Sequence, residues 1–350
     1  MLPGSSPNVQ KMAAVARNRP DEALDSSGSA GELAVETRDL TKHYRNPWTL
    51  KVARGIEGLD LSVRRGEVLG YLGPNGAGKT TTLKLLTGLH KPTRGTASIL
   101  GIPVHEPASR QRLGFLPEQP YFYDYLNGLE YLELAGRLSG LGGHDAGTRA
   151  GQWLGRVGLG DKPRVMLRKY SKGMLQRLGL AAALLHDPEL LILDEPMSGL
   201  DPFGRRDVRE LILEQRQRGT TVLFSSHILP DVEVLCDRVA IVIESRLQRV
   251  ATVGELVGDS AQRVAIRCTG RPVLEIPPAF ATIVERNDQP HETVFEVSDD
   301  ARLGEVIEWL IGQKVVLRAV TPQRATLEEL FMATAAGSRP DERARSGRVA

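Results

Sequence analysis

Short apolar runs and helical stretches alternate between residues 35 and 250. The apolar run at 67–72 stops at a glycine and the one at 190–194 stops at charged residues, as buried strands do. Apolar residues three or four positions apart form one face of a predicted helix over 79–89. The predicted strands are 32–40, 56–63, 67–72, 97–102, 112–116, 189–194, 220–226 and 238–243. Strands interleaved with helices predict an α/β fold with a mixed, largely parallel central sheet.

Two changes in this pattern predict the domain organisation. Helical periodicity replaces the strand signal at about 120–186, which predicts a helical subdomain within a core domain over 35–250. Further along, three predicted strands and an amphipathic helix at 301–312 indicate a small α+β domain over 251–336. These strands are 263–268, 293–298 and 315–320.

Both ends of the chain are rich in Pro, Ser, Gly and scattered charges, which predicts disordered segments at 1–34 and 337–350. Before the second of these, Thr326 and Glu329 form a capping box that predicts one more helix. The N-terminal segment lacks the apolar core of a signal peptide. No apolar run approaches the ~18 residues that span a bilayer. We therefore expect no direct membrane span and any membrane contact to pass through a partner.

The composition is that of an ordinary globular protein, with 350 residues of which 41% are hydrophobic and 25% charged. A formal net charge of +2 gives no electrostatic reason to expect a nucleic-acid partner, because such partners favour a basic stripe. The cysteines, Cys236 and Cys268, are too few for a disulfide scaffold and suit a reducing cytosol. We expect both in the core.

The stretch "GPNGAGKTT" (73–81) matches the phosphate-binding pattern G-x-x-x-x-G-K-[ST] between a predicted strand and a predicted helix. Glycines let the backbone wrap around an anion, and the positive N-terminal end of the helix attracts it. We expect Lys79 to reach the β- and γ-phosphates and Thr80 to offer its hydroxyl to Mg²⁺. The candidate nucleotide-binding residues here are Gly73, Pro74, Asn75, Gly76, Ala77, Gly78, Lys79, Thr80 and Thr81.

Two carboxylates, Asp194 and Glu195, end the apolar strand in "LLILDEP". Side by side they are unfavourable without a cation, which Mg²⁺ and Lys79 would supply. We expect Asp194 near Mg²⁺ and Glu195 one step further out, where it can polarise an attacking water. A lone pair of this kind is usually a strand-ending ion pair, but its occurrence with a phosphate loop favours the functional interpretation.

These motifs, in this order, resemble the ATP-binding cassette (ABC) family over roughly 35–250. The family's signature LSGGQ stands here as "YSKGM", in which Ser171 and Gly173 match the serine and the second glycine. Lys172 and Met174 depart from it, as in similar variants among cassettes that pair with separate ABC-2-type permeases. The resemblance implies a head-to-tail dimer with ATP between the phosphate loop of one copy and the signature of a second copy. Ser171 is then expected at the γ-phosphate held by that copy.

Four further residues match family positions in chain order. Tyr44 resembles the aromatic residue that stacks on adenine, and Gln119 the glutamine that senses Mg²⁺ and the attacking water. Asp201, in "SGLD", resembles the key residue of the loop that communicates between the two ATP sites. His227 resembles the switch histidine that touches the γ-phosphate. The resemblance implies Glu195, His227, Gln119 and Lys79 as catalytic residues and Thr80, Gln119 and Asp194 as residues at the metal.

The resemblance implies an ATP-binding and ATP-hydrolysing subunit of an ABC-2-type exporter, cytoplasmic and held on the inner face of the cell membrane by its permease. An aromatic cluster suits a groove for a permease helix, or else the core of the helical subdomain. Its members are Tyr121, Phe122, Tyr123, Tyr125 and Tyr131. Two alternatives without a permease stay open: a soluble cassette ATPase of a cytosolic assembly complex and a translation-associated binding module.

Overall fold

The computed structural model describes residues 33–45, 52–258, 263–269, 276–282, 284–288, 292–298, 302–313 and 315–323. The capping box of Thr326 and Glu329 and the predicted disordered segments, except residues 33 and 34, lie outside the described residues. The strands are β1 (Leu33–Arg45), β2 (Val52–Arg64), β3 (Val68–Leu72), β4 (Arg94–Ile99), β5 (Ile102–Pro103), β6 (Leu113–Leu116), β7 (Leu190–Asp194), β8 (Thr221–Ser226), β9 (Arg238–Ile243), β10 (Arg246–Thr252), β11 (Arg263–Thr269), β12 (Val284–Asp288), β13 (Thr293–Val297) and β14 (Val316–Gln323). The helices are α1 (Lys79–Leu86), α2 (Gly128–Leu138), α3 (Gly143–Arg156), α4 (Lys172–Leu184), α5 (Pro202–Gln217), α6 (Leu229–Leu235), α7 (Val253–Gly258) and α8 (Leu303–Gly312).

The central sheet has the strand order β10–β9–β3–β8–β7–β6. Neighbouring strands from β9 to β6 are parallel, and β10 pairs antiparallel with β9. Both faces of this sheet are buried, as β3 illustrates: Val68 and Leu72 belong to one core cluster, and Leu69 and Tyr71 to the other. Burial on both faces explains the continuous apolar runs in the sequence. The predicted mixed, largely parallel sheet is confirmed.

The two faces of the central sheet are covered differently. On one face lie helix α1 and a second, antiparallel sheet with the order β2–β1–β4–β5. On the other face lie helices α2 to α6, which contribute Leu132, Trp153, Leu178, Val208 and Val232 to the other core cluster. The stretch in which the strand signal disappears is therefore helical and packs on a single face of the sheet.

Two details of the strand prediction for the core domain were wrong. The predicted strand at 97–102 is interrupted, because Leu100 and Gly101 turn with φ of 52° and 81° between β4 and β5. Strand β10 was missed, since it lies at the edge of the central sheet and exposes Arg246, Gln248 and Arg249. An edge strand with polar residues gives no continuous apolar run.

The C-terminal elements form an antiparallel sheet with the order β12–β13–β11–β14. Helix α8 packs on one face of it, where Val306 and Leu310 meet Ile266 and Phe295. The predicted small α+β unit is confirmed, and β12 is a strand that the sequence pattern did not reveal. Cys236 and Cys268 are both buried and free, as expected. Among the described residues, no helix combines the length and the apolar character needed to cross a bilayer.

Gly114 in β6 tests how tightly helix α4 packs on the sheet. A Cβ at this position would lie 2.2 Å from the carbonyl O of Ala183 in α4. We expect Gly114→Ala to lower the free energy of unfolding by about 1–3 kcal/mol, because helix or strand must shift. Gly151→Ala is the control, since its Cβ would meet nothing within 4 Å. That variant should be neutral or stabilising by about 0.5–1 kcal/mol. Chemical denaturation checks both, and equal stabilities of the two variants would contradict the close packing.

Candidate functional site

A cavity of about 420 Å³ lies at the carboxyl ends of the central strands. Strands β3, β8, β7 and β6 are mutually parallel neighbours, so the segments that follow them meet at one edge of the sheet. The residues that line the cavity are Tyr44, Arg54, Gly55, Pro74, Asn75, Gly76, Gly78, Lys79, Thr80, Thr81, Glu118, Glu195, Ser198 and His227. The fold thus brings most of the predicted nucleotide-binding residues together.

The predicted phosphate loop connects β3 to α1 and depends on its glycines. Gly76 and Gly78 have φ of 83° and 100°, a left-handed conformation that other residues rarely adopt. A Cβ on Gly78 would lie 2.0 Å from the carbonyl O of Gly55. One on Gly73 would lie 2.4 Å from the carbonyl O of Val242. At Gly73 and Gly78 the loop therefore packs backbone against backbone, and its backbone N–H groups are suited to bind phosphate oxygens.

The ammonium group of Lys79 is almost fully buried beside this loop, with 7% of the residue exposed. Nζ donates to the carbonyl O of Gly73 over 2.8 Å and lies 3.4 Å from Oε1 of Glu195. A buried charge is unfavourable unless it is paired and hydrogen-bonded. These two partners therefore hold the ammonium group at the cavity wall, where an arriving phosphate can replace the carboxylate.

The neighbouring strand β8 holds the Asp194 carboxylate and the backbone of Glu195. Ser225 Oγ donates to Oδ1 of the buried Asp194 over 2.6 Å and accepts the backbone N–H of Glu195 over 3.0 Å. Glu195 has a φ of 50°, which is a strained conformation for a residue other than glycine. Strain of this kind clusters at functional sites, and here it turns the Glu195 side chain into the cavity. Nothing in the sequence analysis pointed to Ser225.

His227 follows β8 and completes a chain of interactions across the cavity. Its Nδ1 lies 2.7 Å from Oε2 of Glu195, whose other oxygen faces Lys79. Glu195 is therefore placed between a cation and an imidazole, and the three residues come from three separate segments of the chain. The sequence predicted all three members but not their direct contact.

Tyr44 also lines the cavity, at the end of β1. Its hydroxyl lies 3.3 Å from Oγ1 of Thr81 and 3.3 Å from Nδ1 of His90. The predicted aromatic residue is therefore beside the first turn of helix α1. It is held there by polar contacts as well as by packing.

Some predicted residues do not line the cavity. Ala77 and Asp194 are buried behind it. Gln119 is exposed and lies outside the cavity lining, whereas the preceding Glu118 lines it. The sequence analysis missed Glu118, as it missed Arg54 and Ser198. No local pattern distinguishes Glu118 from Gln119, because the path of the chain after β6 decides which of the two faces the cavity.

Ser171, Gly173 and Asp201 lie in two turns that touch each other outside the cavity. Ser171 is exposed and caps α4, where its Oγ accepts the backbone N–H three residues on over 3.3 Å. Asp201 caps α5 in the same way, over 2.7 Å. A Cβ on Gly199 would lie 2.9 Å from Cδ of Lys172, so the two turns form one continuous surface.

Within the part of the chain that the structure describes, no group of three or more His, Cys, Asp or Glu side chains could hold a metal ion. Thr80 lines the cavity and Asp194 lies directly before Glu195. Mg²⁺ commonly takes one or two protein ligands and completes its shell with substrate phosphates and water. The donor set therefore fits Mg²⁺ only together with a bound phosphate chain.

The glycine loop between a parallel strand and a helix, with a strand that ends in carboxylates two places along the same sheet, defines a P-loop nucleotide-binding fold. Residues 56–198 match the family model described as "ABC transporter". An uncharacterized ABC transporter ATP-binding protein of Synechocystis sp. is 45% identical over 228 residues, an alignment that covers 64% of this chain and 64% of that protein. The chain thus spans just under two thirds of that relative's length.

Two further similarities cover most of the other protein. The fluoroquinolones export ATP-binding protein of Mycobacterium tuberculosis is 38% identical over 250 residues, which are 70% of this chain and 80% of that protein. A solved structure of the ATP-binding subunit of an ABC transporter is 32% identical, with a TM-score of 0.58, and covers 65% of this chain and 92% of that one. The chain belongs to the ABC transporter family and is an ATP-binding protein of that family.

Glu195→Gln tests the interaction between Glu195 and Lys79. The change removes the negative charge that competes with phosphate for the Lys79 ammonium group, so ATP should bind as well as before or more tightly. Hydrolysis should fall by about 100-fold or more if Glu195 activates water. Equilibrium binding of ATP and phosphate release check the two effects. Glu106→Gln, at an exposed position, controls for the loss of one negative charge. Hydrolysis at the unchanged rate would contradict the role of Glu195.

Proposed function

We propose that this chain is the ATP-hydrolysing subunit of an ABC-2-type exporter, acting as a head-to-tail dimer on a separate membrane-embedded permease. One observation carries the dimer: the Ser171 turn is exposed and lies outside the cavity of its own chain. The export function rests on family membership and on a relative described as an export ATP-binding protein. The proposed organisation is a cassette over 35–250 and an accessory domain over 251–336.

The N-terminal end of α4 suits a phosphate supplied from outside its own chain. Ser171 presents a hydroxyl at the start of this 13-residue helix, and the first turn contains no acidic residue. Helix N-termini attract anions because their first backbone N–H groups are free and the helix dipole is positive there. In the proposed dimer, this end faces the γ-phosphate bound by the second copy. Gly173 lets the helix backbone come close, and Asp201 links the two sites.

The proposed chemistry is mainly positioning and charge neutralisation, which is what phosphoryl transfer requires. Lys79, His227 and the partner's Ser171 neutralise the γ-phosphate. Glu195 activates the attacking water, and in this proposal Gln119 senses that water, although it lies outside the cavity lining of the single chain. Thr80 and Asp194 would hold Mg²⁺, which would supply further neutralisation of phosphate charge. The contact of the partner's Ser171 with the γ-phosphate exists only in the closed dimer, so hydrolysis favours opening.

An exposed aromatic surface supports the proposal that the chain binds a protein partner. Tyr121, Tyr123 and Tyr125 are 90%, 48% and 70% exposed, whereas Phe122 is buried with its ring 4.8 Å from that of Tyr131. The aromatic cluster therefore divides into a core part and a surface part. We propose that the surface part receives a permease helix, which holds the chain on the inner face of the membrane.

A cross-linking experiment tests the dimer. One tagged chain carries Asn75→Cys, a differently tagged chain carries Ser171→Cys, and both carry Glu195→Gln to prevent turnover. With Mg²⁺ and ATP, oxidation should give a disulfide between the two tags, because the loop of one copy faces the signature of the other. The native cysteines are buried. His105→Cys, at an exposed site, replaces Ser171→Cys as the control. Equal cross-linking of the control, or none with ATP, would refute the arrangement.

A second experiment tests the permease. Replacing Tyr121, Tyr123 and Tyr125 with Ala should reduce recovery of a multi-span membrane subunit from solubilised membranes by about tenfold or more, since exposed aromatics often dominate binding. ATP binding should be unchanged. Leu138→Ala is the control, because Leu138 is 81% exposed and lies at the C-terminal end of α2, away in sequence from the three tyrosines. Recovery of cytosolic or ribosomal proteins, with no membrane subunit, would favour the alternatives of an assembly ATPase or a translation-associated module.

A further inference from the structure

Tyr44 is attached to helix α1 by a hydrogen-bonded chain of three side chains. Its hydroxyl contacts Oγ1 of Thr81 and Nδ1 of His90, each over 3.3 Å. Thr81 lies in the first turn of α1, directly after the phosphate loop, and His90 lies shortly after the helix ends. The orientation of the Tyr44 ring therefore depends on two residues outside its own strand.

His90 is itself in a fixed position. Its backbone N–H donates to the carbonyl O of Lys84 in α1 over 3.0 Å. Its ring packs edge-on against Tyr44, with the ring centroids 5.8 Å apart and an interplanar angle of 79°. Partial burial, with the charges of Lys84 and Lys42 nearby, lowers the pKa of His90. A neutral imidazole keeps one nitrogen as an acceptor, so it can accept the Tyr44 hydroxyl.

The space around the Tyr44 ring is also closed from the other side. A Cβ on Gly55 would lie 2.7 Å from Cε2 of Tyr44 and 2.8 Å from Cγ2 of Thr81. The Lys42 ammonium group lies over the ring, 5.4 Å from its centroid, and donates to the carbonyl O of Lys91 over 2.7 Å. The ring thus has a defined place in the cavity wall.

We propose that His90 is a positioning residue for nucleotide-base recognition, which holds the Tyr44 ring at the angle that the base meets. This inference rests on the proposed ATP-binding function and on the stacking of the base on Tyr44 that the family resemblance implies. Because Thr81 belongs to the helix that begins at the phosphate loop, the same chain of contacts ties the base site to the phosphate site. His90 acts through the Tyr44 hydroxyl and touches no phosphate.

Two ligands distinguish the contribution of the base to binding from the contribution of the phosphates. ATP uses both parts of the site, whereas inorganic tripolyphosphate uses the phosphate loop alone. We expect His90→Ala to weaken ATP binding about three- to tenfold, the effect of one hydrogen bond, and to leave tripolyphosphate binding within about twofold. His90→Asn should restore most of the ATP affinity, since its amide can reach the same hydroxyl. His105→Ala, at an exposed site, is the matched control.

A double-mutant cycle tests whether His90 acts through the hydroxyl. Tyr44→Phe keeps the ring but removes the hydroxyl, so it should weaken ATP binding as His90→Ala does. The double variant should bind ATP no more weakly than either single variant. Additive losses, unchanged ATP affinity of His90→Ala, or equal weakening of both ligands would overturn the proposal.

Tyr44→Ala separates this inference from the proposed function. If Tyr44→Ala leaves ATP affinity unchanged, stacking on Tyr44 is wrong and the role of His90 falls with it. If the wild-type chain binds neither ATP nor tripolyphosphate, the nucleotide site itself is wrong. If Tyr44→Ala weakens ATP binding and His90→Ala does not, only the positioning role is overturned.

Discussion

The buried ammonium group of Lys79 is the constraint on which the rest of the site depends. A charge with so little exposure needs partners, and it finds the carbonyl O of Gly73 and the carboxylate of Glu195. The contact with the carbonyl O of Gly73 requires the tight glycine loop. The contact with the carboxylate requires Glu195 to turn inward with a positive φ. Because Glu195 also contacts His227, the Lys79 ammonium group is linked through the Glu195 carboxylate to His227 on the far side of the cavity.

The parallel sheet makes this arrangement possible. Its strands end at a common edge, so residues far apart in sequence, from the phosphate loop to His227, meet within hydrogen-bonding distance. Ser225 connects two of these strand ends, because it donates to the Asp194 carboxylate and accepts the backbone N–H of Glu195. A phosphate chain bound to Lys79 would therefore be contacted by residues at several strand ends at once. The Ser171 turn lies outside the cavity of its own chain. In the function we propose, it therefore contacts the γ-phosphate bound by a second copy.

Sequence reasoning predicted features that depend on local pattern. Apolar runs gave β3, β7, β8 and β9, and the glycine spacing gave the phosphate loop. Sequence reasoning failed where contacts between residues distant in sequence decide the local structure. The edge strand β10 has no apolar run, and the turn at Leu100 interrupts a stretch that looks continuous. Glu118 was passed over for Gln119, because only the path of the chain after β6 decides which side chain faces the cavity.

By itself, the sequence determined the fold class, the phosphate loop and the identity of the charged residues, since these follow from periodicity, glycine spacing and residue chemistry. Only the tertiary structure decided which groups touch: Glu195 between Lys79 and His227, Ser225 against the Asp194 carboxylate, and His90 against the Tyr44 hydroxyl. The physical reason is that hydrogen bonds and ion pairs act over about 3–4 Å. Contacts of that length between distant segments are fixed by how strands and helices pack, and no spacing along the chain encodes them.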